Sequence, residues 1–134
     1  MESRRDFIKK TSIAMGAATT SPLLAGDFKK DKFKSGFIHM VFFWLKDTSD
    51  AAVTDFIRVT REFVDQVEEV NAYRVGRPAP TNRDVVENTY AVSLVVEFDS
   101  MQEHDIYQAH QAHLDYIKNY QDRWETVRVF DAIS

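Results

Sequence analysis

The 134-residue chain has four histidines, and they sit in two contrasting settings. His39 lies inside Phe37-Ile38-His39-Met40-Val41-Phe42-Phe43-Trp44-Leu45, where every other side chain is apolar. His104, His110 and His113 share a second segment with Tyr107, and the four recur at every third residue. A buried ionisable ring needs a partner, and imidazole exchanges protons near neutral pH. His39 therefore has two readings: a proton carrier facing a ligand, or a core histidine satisfied by a neighbouring hydroxyl or carbonyl. On a continuous helix of about 3.6 residues per turn, the second set covers about half the circumference, and Tyr107, His110 and His113 about a third. Such a wall suits a histidine base that removes a proton next to a carbonyl, with the Tyr107 hydroxyl holding the developing enolate oxygen. The competing reading is a polar helix edge with capping or exposed histidines. That reading is preferred for His104.

Other chemistries find weaker support. His110-x-x-His113 offers two imidazoles, and Glu103 or Asp115 could add a carboxylate. No stronger ligand signature accompanies them, so no metal is expected, and no motif specifies haem or another cofactor. Arg77 and Arg83 flank a Pro78-Ala79-Pro80 loop and read as solvated arginines or as holders of an anion. Trp44 and Trp124 read as packing or interface residues. A phosphate-cradling glycine loop and a G-x-S-x-G elbow are both missing, which weakens nucleotide-using and serine-hydrolase readings. The chain has no cysteine, excluding a disulfide scaffold, a thiolate metal site and a cysteine nucleophile. With 44% hydrophobic and 28% charged residues it is an ordinary globular mixture of single-domain length. Its net charge of −4 argues against a nucleic-acid partner.

The elements that must position these residues follow from periodicity. Phe37 to Leu45 is a short apolar run, read as a strand buried on both faces. Asp47 to Asp50 offers helix caps, and Val53, Phe56, Ile57, Phe63, Val64, Val67 and Val70 form the stripe of an amphipathic helix. Asn71 to Val75 is a short strand, and Gly76 to Asp84 is a loop broken by prolines. Thr89 to Phe98 alternates as a strand. Ser100-Met101-Gln102-Glu103 is a capping box that opens a helical region running to about Tyr120, with a break near His110. Thr126 to Phe130 closes the pattern as a last strand, with Val127 and Val129 on one face.

Strand, helix, strand, strand, helix, strand predicts an α+β ferredoxin-like βαββαβ sandwich, two helices covering one face of a four-stranded antiparallel sheet. The first strand carries His39, Val41, Phe43 and Leu45 on one side and Ile38, Met40, Phe42 and Trp44 on the other. Burying each such side chain is worth roughly 1.5–3 kcal/mol. The helices shield one side only, so a homodimer through the open sheet face is expected.

The run His39-x-Val41-x-Phe43, Tyr90-x-Val92-x-Leu94, Phe98-x-Ser100, Tyr107-x-x-His110-x-x-His113, then Trp124 before the closing strand resembles the stress-responsive dimeric α/β-barrel (Dabb) family over about Phe37 to Asp131. Gln111 stands where that family often has proline. The resemblance implies a ferredoxin-like dimer whose two sheets form one barrel. It also implies, by analogy with plant polyketide cyclases of the family, catalytic roles for His39, Tyr107 and His113. His110, Val41 and Phe43 are read as ligand-binding residues. The function expected is binding of a small aromatic or carbonyl-bearing ligand, with cofactor-free acid–base chemistry of cyclase, isomerase or lyase type. The alternatives are a non-catalytic stress-response binding protein and a metal or haem carrier.

Ser3-Arg4-Arg5-Asp6-Phe7-Ile8-Lys9, followed by a mildly apolar stretch to about Ala25, resembles a twin-arginine export signal. Residues 1–26 are read as that signal, 27–35 as a charged linker and 36–134 as the domain. Leu23-Leu24-Ala25 lacks the usual small residue before a cut, so an uncleaved tether stays open. The expected location is periplasmic or otherwise outside the cytoplasm, with no other membrane association. Of the charged residues, 9 basic and 17 acidic fall from Gly36 onward, a surface that disfavours anionic membranes.

Overall fold

β1 (Phe37–Leu45) is the central strand, and its burial alternates strictly. Phe37, His39, Val41, Phe43 and Leu45 are buried, while Ile38, Met40, Phe42 and Trp44 are half-buried. That alternation is the pleat of a strand with one face under a helical layer. The computed structural model describes residues 36–134. The expected export signal and linker lie outside the described residues.

The chain continues through α1 (Asp50–Val64), β2 (Ala72–Gly76), β3 (Val92–Phe98), α2 (Met101–Ala109), α3 (Gln111–Tyr120), a 3₁₀ turn (Gln121–Arg123) and β4 (Trp124–Ile133). The four strands form one sheet in the order β2-β3-β1-β4, and every pairing is antiparallel. This is the ferredoxin-like βαββαβ arrangement that the periodicity predicts. In the register, His39 lies opposite Val96 on one side and Asp131 on the other.

Local chemistry sets the helix boundaries. Ser49 caps α1 by accepting the Ala52 amide at 3.2 Å. Val53, Phe56, Val59, Thr60, Phe63 and Val64 form its buried face. The apolar stripe runs past the end of α1, because Val67 stays buried in the turns that follow. Ser100 caps α2 by accepting the Gln102 amide at 3.1 Å, and its hydroxyl donates to the Glu103 carboxylate, so the two residues of the expected capping box meet side chain to side chain. β4 begins at Trp124, two residues earlier than its alternation indicated. A bulge between Trp44 and Leu45 places Trp124 opposite Leu45 and Thr126 opposite Trp44, and this irregularity hides the strand's start. β4 also runs past Phe130 to Ile133, which brings Asp131 into the sheet.

The core lies between the sheet and α1 and α3. Phe43 meets Phe56 edge-on at 5.0 Å, and Phe63 stacks on Tyr116 at 4.5 Å. On the opposite sheet face Phe42 meets Tyr90 at 5.0 Å and Phe130 at 6.0 Å, and Trp44 donates its indole N–H to Thr89 at 2.8 Å. Phe130 and Val129 on the edge strand are about half exposed. Among the described residues, no helix is long and apolar enough to cross a membrane.

Candidate functional site

Four of the ring-bearing residues singled out by type and spacing converge under the helical layer. β1 supplies His39, α2 supplies His104 and Tyr107, and α3 supplies His113. Tyr107 is central: its ring centre is 5.5 Å from His39 and 5.1 Å from His113. Phe98 at 5.0 Å and Phe63 at 5.5 Å complete its surround.

His39 has a partner that the sequence reading did not include. Its Nδ1 lies 2.6 Å from Oδ1 of Asp131, directly across the β1–β4 ladder. A carboxylate only accepts, so Nδ1 carries the hydrogen and Nε2 keeps the lone pair. A carboxylate that orients an imidazole in this way fixes its tautomer, as in catalytic triads. The His39 side chain is 5% exposed and that of Asp131 is 38% exposed. Burial lowers the His39 pKa; the hydrogen bond and charge of Asp131 push the other way without overcoming it, and His104 adds to the lowering. His39 is therefore a neutral base at neutral pH.

His113 reaches the same state by another route. Its Nδ1 is 3.2 Å from the Gln108 carbonyl oxygen, which again assigns the hydrogen to Nδ1 and leaves Nε2 free. Burial lowers its pKa, the Gln108 carbonyl opposes that, and His39 and His104 add to the lowering. Tyr107 is 1% exposed. Burial, with a smaller contribution from Tyr116, pushes its phenol well above the ordinary range, so it stays a protonated donor. Its hydroxyl makes no hydrogen bond among the described residues, where no buried side-chain polar atom lacks a partner. Two neutral imidazoles flanking a phenol donor can take up, hold and return a proton beside a polarised oxygen.

The remaining candidates fall elsewhere. His110 ends α2 and caps α3: its backbone is extended (φ −65°, ψ 141°) and its Nδ1 accepts the Ala112 amide at 2.9 Å. The structure does not bring its ring into contact with the aromatic cluster among the described residues. Val41 is buried two residues from His39 on the same face. Phe43 packs farther along, against Phe56 at 5.0 Å and Trp124 at 5.3 Å. Arg77 is tied to α1 through Asp50 at 3.1 Å and Thr54 at 2.8 Å, in keeping with a loop-structural role.

Sequence reasoning missed two members of this neighbourhood. His104 stacks on Phe37 at 4.4 Å and lies 5.1 Å from His39, so it belongs to the cluster although a polar edge was preferred for it. Its presence on the three-residue repeat was the available signal. Asp131 had one too. Val127 and Val129 share a face, and an acid two residues on interrupts the alternation just as His39 interrupts β1. His39, His104 and Asp131 also bring one ligand-type atom each within 4.8 Å of one another, a grouping distinct from the His110-x-x-His113 pair.

Known structures share this architecture. A Dabb family protein with a ferredoxin-like fold from Mesorhizobium loti is 16% identical, with a TM-score of 0.63 over 75% of this chain and 98% of that one. A dimeric ferredoxin-like protein of unknown function from Thermobifida fusca is 17% identical, with a TM-score of 0.60 over 75% and 92%. A hydroxynitrile lyase from Passiflora edulis is 16% identical, with a TM-score of 0.62 over 75% and 94%. At these identities the likeness is one of fold. Among curated proteins, none matches this sequence. The stress responsive A/B barrel domain model matches residues 37–134, nearly all of the described chain. The chain belongs to the stress responsive A/B barrel domain (Dabb) family.

Proposed function

We propose that this protein is an exported homodimer that binds a small aromatic or carbonyl-bearing molecule beside His39, Tyr107 and His113 and moves a proton on it. The observation that carries this reading is the pairing of the Asp131–His39 dyad with a buried phenol whose hydroxyl makes no hydrogen bond among the described residues. His39 or His113 removes a proton next to the carbonyl, and the Tyr107 hydroxyl stabilises the oxygen on which charge develops. Side chains alone supply this chemistry. A lyase among proteins of the same fold supports the reaction class. The half-apolar open sheet face and the dimeric structural relative support a second copy as the covering partner.

The test uses slowly exchanging carbonyl compounds, acetophenone and cyclohexanone, in deuterated buffer with the full chain. Proton NMR follows loss of the signals next to the carbonyl. The wild type is expected to accelerate exchange. His39→Ala and His113→Ala should each lose about 10²-fold or more, and Tyr107→Phe should lose about 10²–10³-fold. Binding without accelerated exchange would replace catalysis by ligand carriage. Neither binding nor exchange, or a His39→Ala variant as active as the wild type, would overturn the site. Export has its own test: changing Arg4 and Arg5 to Lys should retain the protein in the cytoplasmic fraction, and unchanged export would refute a twin-arginine route.

A further inference from the structure

We propose that His39, His104 and Asp131 form a binding site for a divalent transition metal of the Zn²⁺ type. One ligand-type atom from each residue lies within 4.8 Å of the others. A tetrahedral ion with bonds of about 2.0–2.2 Å holds its ligand atoms about 3.3 Å apart. The widest pair must therefore close by about 1.5 Å at most, within the reach of side-chain rotation. The three residues come from three elements: β1, the β4 position facing it, and the first turn of α2.

The surroundings hold the ligands in place. Phe37 stacks on the His104 ring at 4.4 Å, and Phe98 meets it edge-on at 5.7 Å. Orientation of this kind, before any ion arrives, is what metal sites require of their supporting groups. An ion bound by His39 Nδ1 displaces the hydrogen that this nitrogen shares with Asp131 at 2.6 Å. His39 and His104 are shielded, with side chains 5% and 14% exposed, whereas the 38% exposure of Asp131 leaves a way in. Two imidazoles and one carboxylate suit Zn²⁺, Co²⁺, Ni²⁺ or Fe²⁺, and not Mg²⁺ or Ca²⁺, which take oxygen ligands. Three protein ligands leave a fourth position for water or a small molecule.

Occupancy has a consequence for the proposed function. A neutral imidazole has one lone pair. Once His39 gives it to an ion, none is left to accept a substrate proton, whichever nitrogen coordinates. A bound ion and a basic His39 therefore exclude each other. This regulatory corollary rests on the acid–base reading; the metal site itself does not.

The chelator-treated full chain is titrated with Zn²⁺ by calorimetry and with Co²⁺ by its visible absorption bands. One ion per chain is expected. His104→Phe keeps an aromatic ring against Phe37 and deletes a ligand; it should weaken Zn²⁺ binding by about tenfold or more, as should Asp131→Asn. Circular dichroism checks that each variant folds, and His104→Phe suffices should Asp131→Asn fail. Absence of Co²⁺ bands, or equal Zn²⁺ affinity in the wild type and His104→Phe, would overturn the site. So would weakening by His113→Ala alone, which would move the ion to the His110-x-x-His113 pair. Zn²⁺ binding without proton exchange in the metal-free protein leaves the metal site standing and removes the acid–base reading. Exchange that persists at saturating Zn²⁺ overturns the regulatory corollary, assigns the exchange to His113 and leaves the metal site to stand or fall on the binding titrations.

Discussion

Mild acid should destabilise this domain through His39 and His113. His39 and His113 both have folded pKa values below the free-histidine value of 6.5, and burial is the largest cause for each. Below about pH 6.5 the unfolded chain therefore takes up protons that the folded chain refuses. Stability from these two groups is complete above about 6.5 and is lost as the pH falls toward their folded values. Each fully refused proton contributes a slope of at most about 1.4 kcal/mol per pH unit, and the pair about 2.7. Carboxylates with lowered pKa, Asp47, Asp55 and Glu87, start from 3.8, 3.8 and 4.5, so their losses come at lower pH. Urea denaturation in half-unit steps from about pH 7.5 to 5 separates the two regimes. Protein concentration must be held constant, because a dimer's apparent stability depends on it. His39→Gln should reduce the slope by up to about 1.4 kcal/mol per pH unit, whatever it does to stability at pH 7.5. A wild-type stability that stays level or rises on acidification would refute the reasoning. It would mean that attraction to Asp131 outweighs burial, so that His39 is a cation and no base.

Other substitutions test the frame around the site. Thr60 donates its hydroxyl to the Phe56 carbonyl at 2.7 Å, so the Tyr116 hydroxyl donates to Thr60, also at 2.7 Å. Tyr116→Phe leaves Thr60 satisfied and should cost about 1 kcal/mol, whereas Thr60→Val leaves a buried phenol unpaired and should cost about 1–3 kcal/mol; equal effects in urea melts would refute this order. Gly36 has φ 155°, and a Cβ there would lie 2.5 Å from the carbonyl oxygens of Phe98 and Asp99. Gly36→Ala should therefore lower stability by at least about 1–3 kcal/mol, and an unchanged melting temperature would show that the turn relaxes. Phe42→Glu places a charge among Tyr90 and Phe130 on the open sheet face. Light scattering should then give the single-chain mass where the wild type gives twice that mass, and a monomeric wild type in dilute solution would remove the dimer.

The legible parts of the fold were those governed by one periodicity at a time. β1 announced itself as apolar on both sides, and α1 through its stripe from Val53 to Val64. His39 was visible because one polar residue breaks a nine-residue apolar run. Its partner was not, because Asp131 is 92 residues away in sequence and lies on an edge strand whose exposed faces blur the alternation. A bulge at one end and exposure at the other concealed the true length of β4, and with it the position of Asp131 opposite His39. His104 was visible by spacing but undervalued. A polar residue on a helix edge gives no sign that Phe37 waits across the layer to stack on it.

The break at His110 determines how Tyr107 and His113 meet. On an unbroken helix, residues six apart lie about 9 Å apart along the axis and about a third of a turn round it. In the structure their rings are 5.1 Å apart, and both touch Phe63 at 5.5 Å. Gln111 supplies none of the rigidity of a proline, so the bend must be held by other means. His110 does this with its own atoms: its backbone N–H goes to the Tyr107 carbonyl at 3.1 Å, and its Nδ1 accepts the Ala112 amide at 2.9 Å. That makes His110 a positioning residue for the site. His110→Ala should cost about 1 kcal/mol, the worth of an N-cap, and should lower carbonyl proton exchange by loosening His113. His110→Asn restores a capping acceptor without an imidazole and should recover both stability and exchange. Loss of ligand binding in both variants, with stability unchanged, would instead make the His110 ring itself a ligand contact.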